Sequence, residues 1–155
     1  MLKILLAILG CIIVFKSSAA TVTVYNNNQK VQENVVVWLA PDQASGVNIN
    51  KSLFTMTQKN RQFTPHILVV EKNSQVEFPN ADSIMHHVYS FSKSKTFELK
   101  LYREQPQDPI TFEQTGVVEL GCNIHDWMLG YIVVVDSPYY AITNEQGVAS
   151  FDIPN

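Results

Sequence analysis

The chain has 155 residues, of which 46% are hydrophobic and 16% are charged, and its formal net charge is −3. A chain of this length is long enough for one packed domain and too short for two comfortable ones. The acidic balance disfavours nucleic acid as a partner, because a phosphate backbone attracts proteins with an excess of lysine and arginine.

The first twenty residues have the pattern of an export signal. Lys3 precedes an apolar run from Ile4 to Phe15, and the small residues Ser17-Ser18-Ala19-Ala20 follow. The apolar run falls short of the roughly 20 residues that span a bilayer. We therefore expect residues 1–20 to be a signal peptide that is cleaved after Ala20. The mature protein is then expected in the periplasm, without stable membrane insertion.

Cleavage would change both the charge and the cysteine count. Of the 11 basic residues, Lys3 and Lys16 lie in the leader, so nine basic and 14 acidic residues would remain, a net charge of −5. Cys11 would leave as well, and Cys122 could then form no disulfide within the chain. An unpaired cysteine in an oxidising compartment is a liability unless something protects it. A bound metal would do so.

Short apolar segments follow the leader along the rest of the chain. They are rich in Val, Ile, Phe and Tyr and are separated by Asn, Asp, Ser, Gly and Pro, which favours strands. The predicted strands are Thr21–Tyr25, Asn34–Leu39, Ile67–Val70, Gln75–Phe78, His87–Phe91, Thr96–Leu101, Val117–Leu120 and Tyr131–Val135. No segment has a convincing helical period. The sequence therefore predicts an all-β sandwich, in which two sheets face each other across an apolar core.

The pattern suggests three parts: the leader, a domain over residues 21–136, and an extension over residues 137–155. The extension is predicted to be a β-hairpin with its turn at Asn144–Gly147. Together with Val22–Leu39 it could form an added β layer.

The segment Gly121–Gly130 joins two predicted strands and carries a cysteine, a histidine and a methionine at intervals of three residues. A loop at one end of a sandwich can turn several side chains toward one point, so Cys122, His125 and Met128 are candidate neighbours. A thiolate and a thioether favour copper, and an imidazole suits it. Two histidines and one cysteine, with a weak axial methionine, form the blue-copper electron-transfer centre.

Such a centre needs a second histidine from elsewhere in the chain. His86 and His87 follow a polar loop and begin a predicted strand, whereas His66 is expected to be an ordinary polar residue at the start of another strand. Neighbours on an extended strand point to opposite faces, so one histidine of the pair can reach a metal and Met85 should point away from it. The apolar alternation beyond the pair does not decide which histidine that is.

The spacing of Cys122, His125 and Met128, followed by Gly130 and the run Ile132–Asp136, resembles the ligand loop of the cupredoxins, and most closely that of the amicyanin and plastocyanin-like members. The stretch from Val76 to Phe91 is similar to the segment that bears their first histidine. The resemblance covers about residues 65–136. Proteins of this kind are sometimes labelled methylamine utilization proteins.

The resemblance implies a Greek-key β-sandwich with one type 1 copper ion. It places the metal ligands at His86, Cys122, His125 and Met128, and it puts His87 where an asparagine usually braces the ligand loops. It also implies a monomeric electron carrier rather than an enzyme, with a redox partner such as a c-type cytochrome or a dehydrogenase. Trp127 and Tyr131 are expected to be packing residues that keep the site dry.

Two other classes of function fit part of the pattern. A periplasmic copper chaperone or copper-storage protein without a redox role would use the same ligands, but metal transfer usually requires more open, Met- or Cys-rich sites. A nucleophilic enzyme would pair Cys122 with a histidine as base, which leaves Met128 without a role. Structural zinc is disfavoured because a thioether is a poor zinc ligand.

Overall fold

The computed structural model of the protein describes residues 17–40, 51–104 and 108–154, without the side chains of residues 17, 18 and 154. Every regular element in these ranges is a β-strand, which confirms the all-β prediction, and none of the described residues forms a helix that could cross a membrane. The strands are β1 (Ser17–Thr23), β2 (Val36–Trp38), β3 (Leu53–Thr55), β4 (Thr57–Lys59), β5 (Gln62–Thr64), β6 (Ile67–Glu71), β7 (Gln75–Glu77), β8 (His86–Ser92), β9 (Lys95–Tyr102), β10 (Ile110–Thr111), β11 (Gly116–Gly121), β12 (Leu129–Val135), β13 (Tyr140–Ile142) and β14 (Val148–Pro154).

Two sheets face each other across the core. The larger has the strand order β6-β12-β11-β8-β9, and the smaller has the order β10-β7-β3. In the larger sheet β12 runs parallel to β6, and the other neighbours are antiparallel. The apolar side chains between the sheets that are at most 1% exposed are Met56, Val70, Val76, Phe78, Val88, Phe112, Val118, Leu120 and Ile132.

The alternation of side chains along β11 shows which face of the larger sheet is buried. Val118 and Leu120 are fully buried, whereas Val117 before them is 57% exposed and Glu119 between them is also exposed. Successive side chains of a strand point to opposite faces, so this pattern buries one face only. Burial of an apolar side chain of this size contributes about 1.5–3 kcal/mol.

The start of β8 departs from this alternation. His86, His87 and Val88 are all buried, and the pairing with β9 shifts register between His86 and Val88. Such a β-bulge adds one residue to a strand and redirects its side chains. Although neighbours on a regular strand would point to opposite faces, both histidines are buried here: His86 is 0% exposed and His87 is 6% exposed.

The C-terminal segment forms two strands on either side of a turn. The Gly147 amide donates to the Asn144 carbonyl at 2.8 Å, and Gly147 has φ +71°, a conformation that glycine adopts readily. The two strands do not pair with each other. Instead, β14 pairs with β1 and β13 pairs with β2. The turn therefore connects two strands that each form a two-stranded sheet with a strand near the N-terminus.

Buried polar groups join this terminal layer to the sandwich. Burial and the neighbouring Glu71 carboxylate raise the pKa of Tyr140 to about 12, so its phenol stays protonated and can donate to Glu71. Within the layer, the Thr143 hydroxyl donates to the Gln32 carbonyl at 2.7 Å and accepts from the Val35 amide at 2.9 Å.

The predicted leader overlaps the described fold at its end. Residues 1–16, 41–50 and 105–107, and with them most of the leader and parts of both predicted loops, lie outside the described residues. Ser17–Ala20 belong to β1 and pair with Phe151–Pro154. Cleavage after Ala20 stays a prediction, and it would leave β14 with the three partners Thr21–Thr23.

We expect Thr143→Val to lower the free energy of unfolding by about 1–3 kcal/mol, because the Val35 amide and the Gln32 carbonyl would lose their partner. Urea unfolding measures the change. The control is Thr21→Val, which removes an exposed hydroxyl pair with Ser150 and should change stability by less than about 0.5 kcal/mol. Equal midpoints for the two variants would contradict this account.

Candidate metal centre

The candidate centre lies at one end of the sandwich, where the loop between β11 and β12 meets the start of β8. Two successive turns fold this loop. The His125 amide donates to the Cys122 carbonyl at 3.4 Å, and the Met128 amide donates to the His125 carbonyl at 2.9 Å. The three predicted ligands of the loop are thereby each held at the end of a turn, and all three are buried.

Three donor atoms converge at this point. The Cys122 sulfur lies 3.8 Å from Nδ1 of His86 and 3.7 Å from Nδ1 of His125. All three donor atoms lie within 4.8 Å of one another, and together they could hold a metal ion. Cys122 is 3% exposed and His125 is 9% exposed, so the cluster is largely shielded from water.

The spacing of the donors is short enough for them to share one metal ion. With metal–sulfur and metal–nitrogen bonds of about 2.3 Å and about 2.0 Å, as zinc makes them, ligands about 120° apart are separated by about 3.7 Å, and ligands at the tetrahedral angle by about 3.5 Å. The observed 3.7 and 3.8 Å are close to both values, so one ion could bind these donors. A set of two imidazoles and a thiolate suits copper, and the group could hold one copper ion.

The orientation of His86 is fixed by Asp82. Nε2 of His86 lies 2.8 Å from the Asp82 carboxylate, whose side chain is 15% exposed. An ionised carboxylate only accepts hydrogen bonds, so His86 donates from Nε2 and its Nδ1 carries the lone pair that faces Cys122. Such carboxylate–histidine pairs fix the tautomer of a ligand and raise its basicity.

Asp82 is itself held by the turn between β4 and β5. Its carboxylate accepts the amide of Asn60 at 2.7 Å and the amide of Arg61 at 2.9 Å. Burial alone raises the pKa of Asp82, but the hydrogen bonds from the Arg61 amide, the His86 ring and the Asn60 amide outweigh it and hold that pKa below its usual value. The carboxylate therefore stays ionised at neutral pH.

Asn80 braces the loop that carries Asp82. Its amide group donates to the carbonyls of Ile84 and Tyr102 at 2.8 and 3.1 Å, and its side-chain oxygen accepts the Asp82 amide at 3.0 Å. These bonds fix the loop against the end of β9. The position of Asp82, and through it that of His86, is thus determined from two sides.

His125 is suited to bind a metal in its neutral form. Burial lowers the pKa of its imidazole, and the nearby His86 and Arg61 lower it further, while Asp82 has the opposite effect. The ring is therefore neutral at pH 7 and retains a lone pair for a metal. Its centroid lies 5.0 Å from that of His86.

Met128 is buried beside the centre. It is 2% exposed and belongs to the same apolar cluster as Cys122. Its place in the core is compatible both with an axial thioether and with simple packing. Axial ligation by Met128 stays a prediction.

The other candidates from the sequence lie apart from the cluster. His87 is buried, and its Nε2 lies 2.8 Å from the Glu98 carboxylate, while its Nδ1 has no hydrogen-bond partner among the described residues. His66 is exposed and packs edge-on against Tyr131. Met85 is 43% exposed.

The expectation that Trp127 is a packing residue is wrong. Its side chain is 67% exposed, and its ring contacts that of His125 at a centroid distance of 5.4 Å. The turn at His125–Met128 directs Met128 into the core and leaves Trp127 outside. Leu129, the first residue of β12, is 40% exposed beside it.

No protein-family model matches the chain, and no curated protein matches its sequence. Solved structures do match. A copper-containing nitrite reductase from Thermus scotoductus is 23% identical with a TM-score of 0.51, and the match covers 64% of this chain and 27% of that protein.

Two smaller proteins also match. A purple cupredoxin from Nitrosopumilus maritimus is 21% identical with a TM-score of 0.46, over 54% of this chain and 99% of its own. A reduced Cu(I) form of an amicyanin variant is 20% identical with a TM-score of 0.47, over 67% of this chain and 100% of its own. The two facing sheets, together with the match to the nitrite reductase, support the cupredoxin-like Greek-key β-sandwich fold that the sequence predicted.

We expect Asp82→Asn to weaken the binding of Cu(I) by about 10–100-fold, because outer hydrogen-bond partners of metal ligands have effects of this size. The substitution replaces one acceptor oxygen with a donor while the shape is retained. Competition with a Cu(I) chelator measures the affinity. Asp152→Asn, which removes an exposed carboxylate of β14, is the control. Equal affinities for the two variants would show that Asp82 does not position the ligand.

Proposed function

We propose that the protein is a type 1 copper protein that carries single electrons between redox partners and catalyses no reaction of its own. The observation that supports this most directly is the convergence of the Cys122 sulfur with Nδ1 of His86 and Nδ1 of His125, at 3.8 and 3.7 Å. Met128 is the proposed axial ligand. This donor set, with two imidazoles, a thiolate and a thioether, suits copper and is a poor set for zinc.

The surrounding residues are suited to electron exchange. Copper held in this centre would supply a one-electron couple. Asp82 and the two loop turns fix both histidines before any metal binds, so the ligands need to move little when the charge of the site changes. The apolar core excludes water from Cys122, which is 3% exposed. This burial lowers the local dielectric constant and protects the sulfur from oxidation.

An enzyme with a cysteine nucleophile is the strongest competitor on geometric grounds. Asp82, His86 and Cys122 form a carboxylate–imidazole–thiol series, which is the order found in nucleophilic enzymes. However, a second imidazole, that of His125, points its Nδ1 at the same sulfur. A nucleophile needs one base and access to substrate. Two converging histidines around a buried sulfur favour a metal.

A copper chaperone or storage protein is less well supported than an electron carrier. Transfer of a metal ion to another protein requires ligands that the acceptor can reach. Here the cysteine and both histidines are at most 9% exposed. Met85, the exposed methionine next to His86, lies on the outside and adds no buried ligand to the cluster.

We further propose that the protein is exported to the periplasm. The measurement is the intact mass of the protein after expression in a bacterium with two membranes. Cleavage of the proposed signal would give a chain that starts at Thr21, as the small residues Ala19 and Ala20 before it favour. A mass that retains residues 1–20 would contradict export with cleavage.

The copper-loaded protein should have an intense absorption band toward the red end of the visible spectrum, because a thiolate bound to Cu(II) produces one. Cys122→Ser should abolish both the band and reversible one-electron voltammetry. Met128→Leu should keep the band and raise the reduction potential, because the axial ligand tunes the potential. A wild-type protein without the band would refute the copper proposal, and an unchanged potential in Met128→Leu would refute the axial ligand.

The paired histidines provide a matched control within the same strand. His86→Ala should lose tight copper binding and the band, because its Nδ1 faces Cys122. His87→Ala should keep the band, because its imidazole binds Glu98 instead. The reverse result would move the ligand to His87 and leave the copper proposal in place.

A further inference from the structure

An open groove of about 680 Å³ runs over the outer face of the larger sheet, directly beside the candidate metal centre. Gly121, the residue before Cys122, is one of the residues that line it. A side chain at this position would collide with Tyr89, since an added Cβ would lie 2.6 Å from Cζ of that ring. The Tyr89 ring therefore packs directly over the backbone of Gly121, and both residues line the groove.

Aromatic rings form the walls of this groove. Tyr89 and Phe91 lie next to each other on β8 with ring centroids 5.1 Å apart, and Trp127 lies on the ligand loop. Phe91 is 82% exposed and Trp127 is 67% exposed. Large aromatic side chains of this exposure, grouped in one concave surface, mark interaction sites. The hydrophobic effect alone would favour an apolar partner here.

The charges of the groove point to a different partner. Glu119 and Asp126 line it together with the rings, and both are exposed. No lysine, arginine or histidine occurs among the described residues that line it. Aromatic faces and carboxylates share one property, which is that both attract a cation.

We propose that this groove receives a lysine or arginine side chain of the redox partner. The inference rests on the proposed electron-carrier function and adds the chemistry by which the partner is recognised. A protein side chain is favoured over a free amine because the groove is open, whereas pockets for small molecules enclose most of their ligand. The acidic balance of the chain, 14 acidic against 11 basic residues, favours the same partner.

The position of the groove gives this contact a function. Cys122 and Met128 also line it, so a partner anchored there would lie against the sulfur side of the centre. Trp127 belongs to the groove and also contacts the His125 ring. A cation bound in the groove would thus hold the partner close to Cys122 and Met128 and, through Trp127, close to His125.

The experiment is a titration of metal-free, reduced protein with tetralysine, followed by amide chemical shifts in NMR spectra. Shifts should be concentrated at Tyr89, Phe91, Gly121 and Trp127. Glu119→Gln, Asp126→Asn and Phe91→Ala should each raise the dissociation constant by about two- to fivefold, as expected for exposed ion pairs and cation–π contacts. Because no metal is present, the result does not depend on whether the copper proposal holds.

Glu145→Gln is the matched control, because it removes one exposed carboxylate in the turn before β14 and changes the net charge by the same amount. It should leave the dissociation constant within error of the wild type. An equal loss of affinity in Glu119→Gln and Glu145→Gln would overturn the proposal, since binding would then follow the overall charge.

A parallel titration with n-butylamine separates the two sources of a cation. Tetralysine should bind measurably tighter than butylamine if the groove serves a protein partner. Equal affinities would overturn that assignment in favour of a small amine, and shifts centred away from the groove would overturn both. Phe91→Ala should unfold at the same urea concentration as the wild type, because the side chain is 82% exposed.

Discussion

The geometry of the metal centre depends on the carboxylate of Asp82. This one group accepts hydrogen bonds from the imidazole of His86 and from the backbone amides of Asn60 and Arg61. It thereby joins the β4–β5 turn to the first residue of β8, two parts of the chain that no sheet pairing connects. The three hydrogen-bond donors stabilise the ionised form of this carboxylate. Each of these charge-assisted bonds is stronger than a hydrogen bond between neutral groups. The free energy of these contacts fixes the tautomer of His86 in advance of metal binding.

Much of the larger sheet could be predicted from the sequence, because its strands are long and their side chains alternate. Segments such as Val117–Leu120 and Tyr131–Val135 lie within observed strands of nearly the same bounds. The short strands β3, β4, β5 and β10 were not predicted. These segments of two or three residues contain little alternation to distinguish them from loops. β3 and β10 become strands by pairing with the distant β7, and β4 pairs with β5 across a tight turn.

The site was predicted in part for a similar reason. Cys122, His125 and Met128 lie in one loop, so their spacing in the sequence reflects their proximity in space. The roles of Asp82 and His87 could not be read in this way. Asp82 binds the backbone of a hairpin more than twenty residues away in sequence. His87 is buried where the β8–β9 pairing shifts register. A pattern of alternating residues reveals neither feature. The signal in the sequence for Asp82 was its position four residues before His86.

The pairing of β1 with β14 has a consequence for how the chain acquires its structure. Thr21 and Ser150, which contact each other across these strands, are 129 residues apart in sequence. Contacts of such separation are formed late, because the entropy of closing a long loop must be overcome first. The segment Ser17–Thr23 has no strand partner until Val148–Pro154 has been synthesised. The terminal layer can therefore be completed only after Val148–Pro154 has left the ribosome, later than the strands of the sandwich that precede it in the chain.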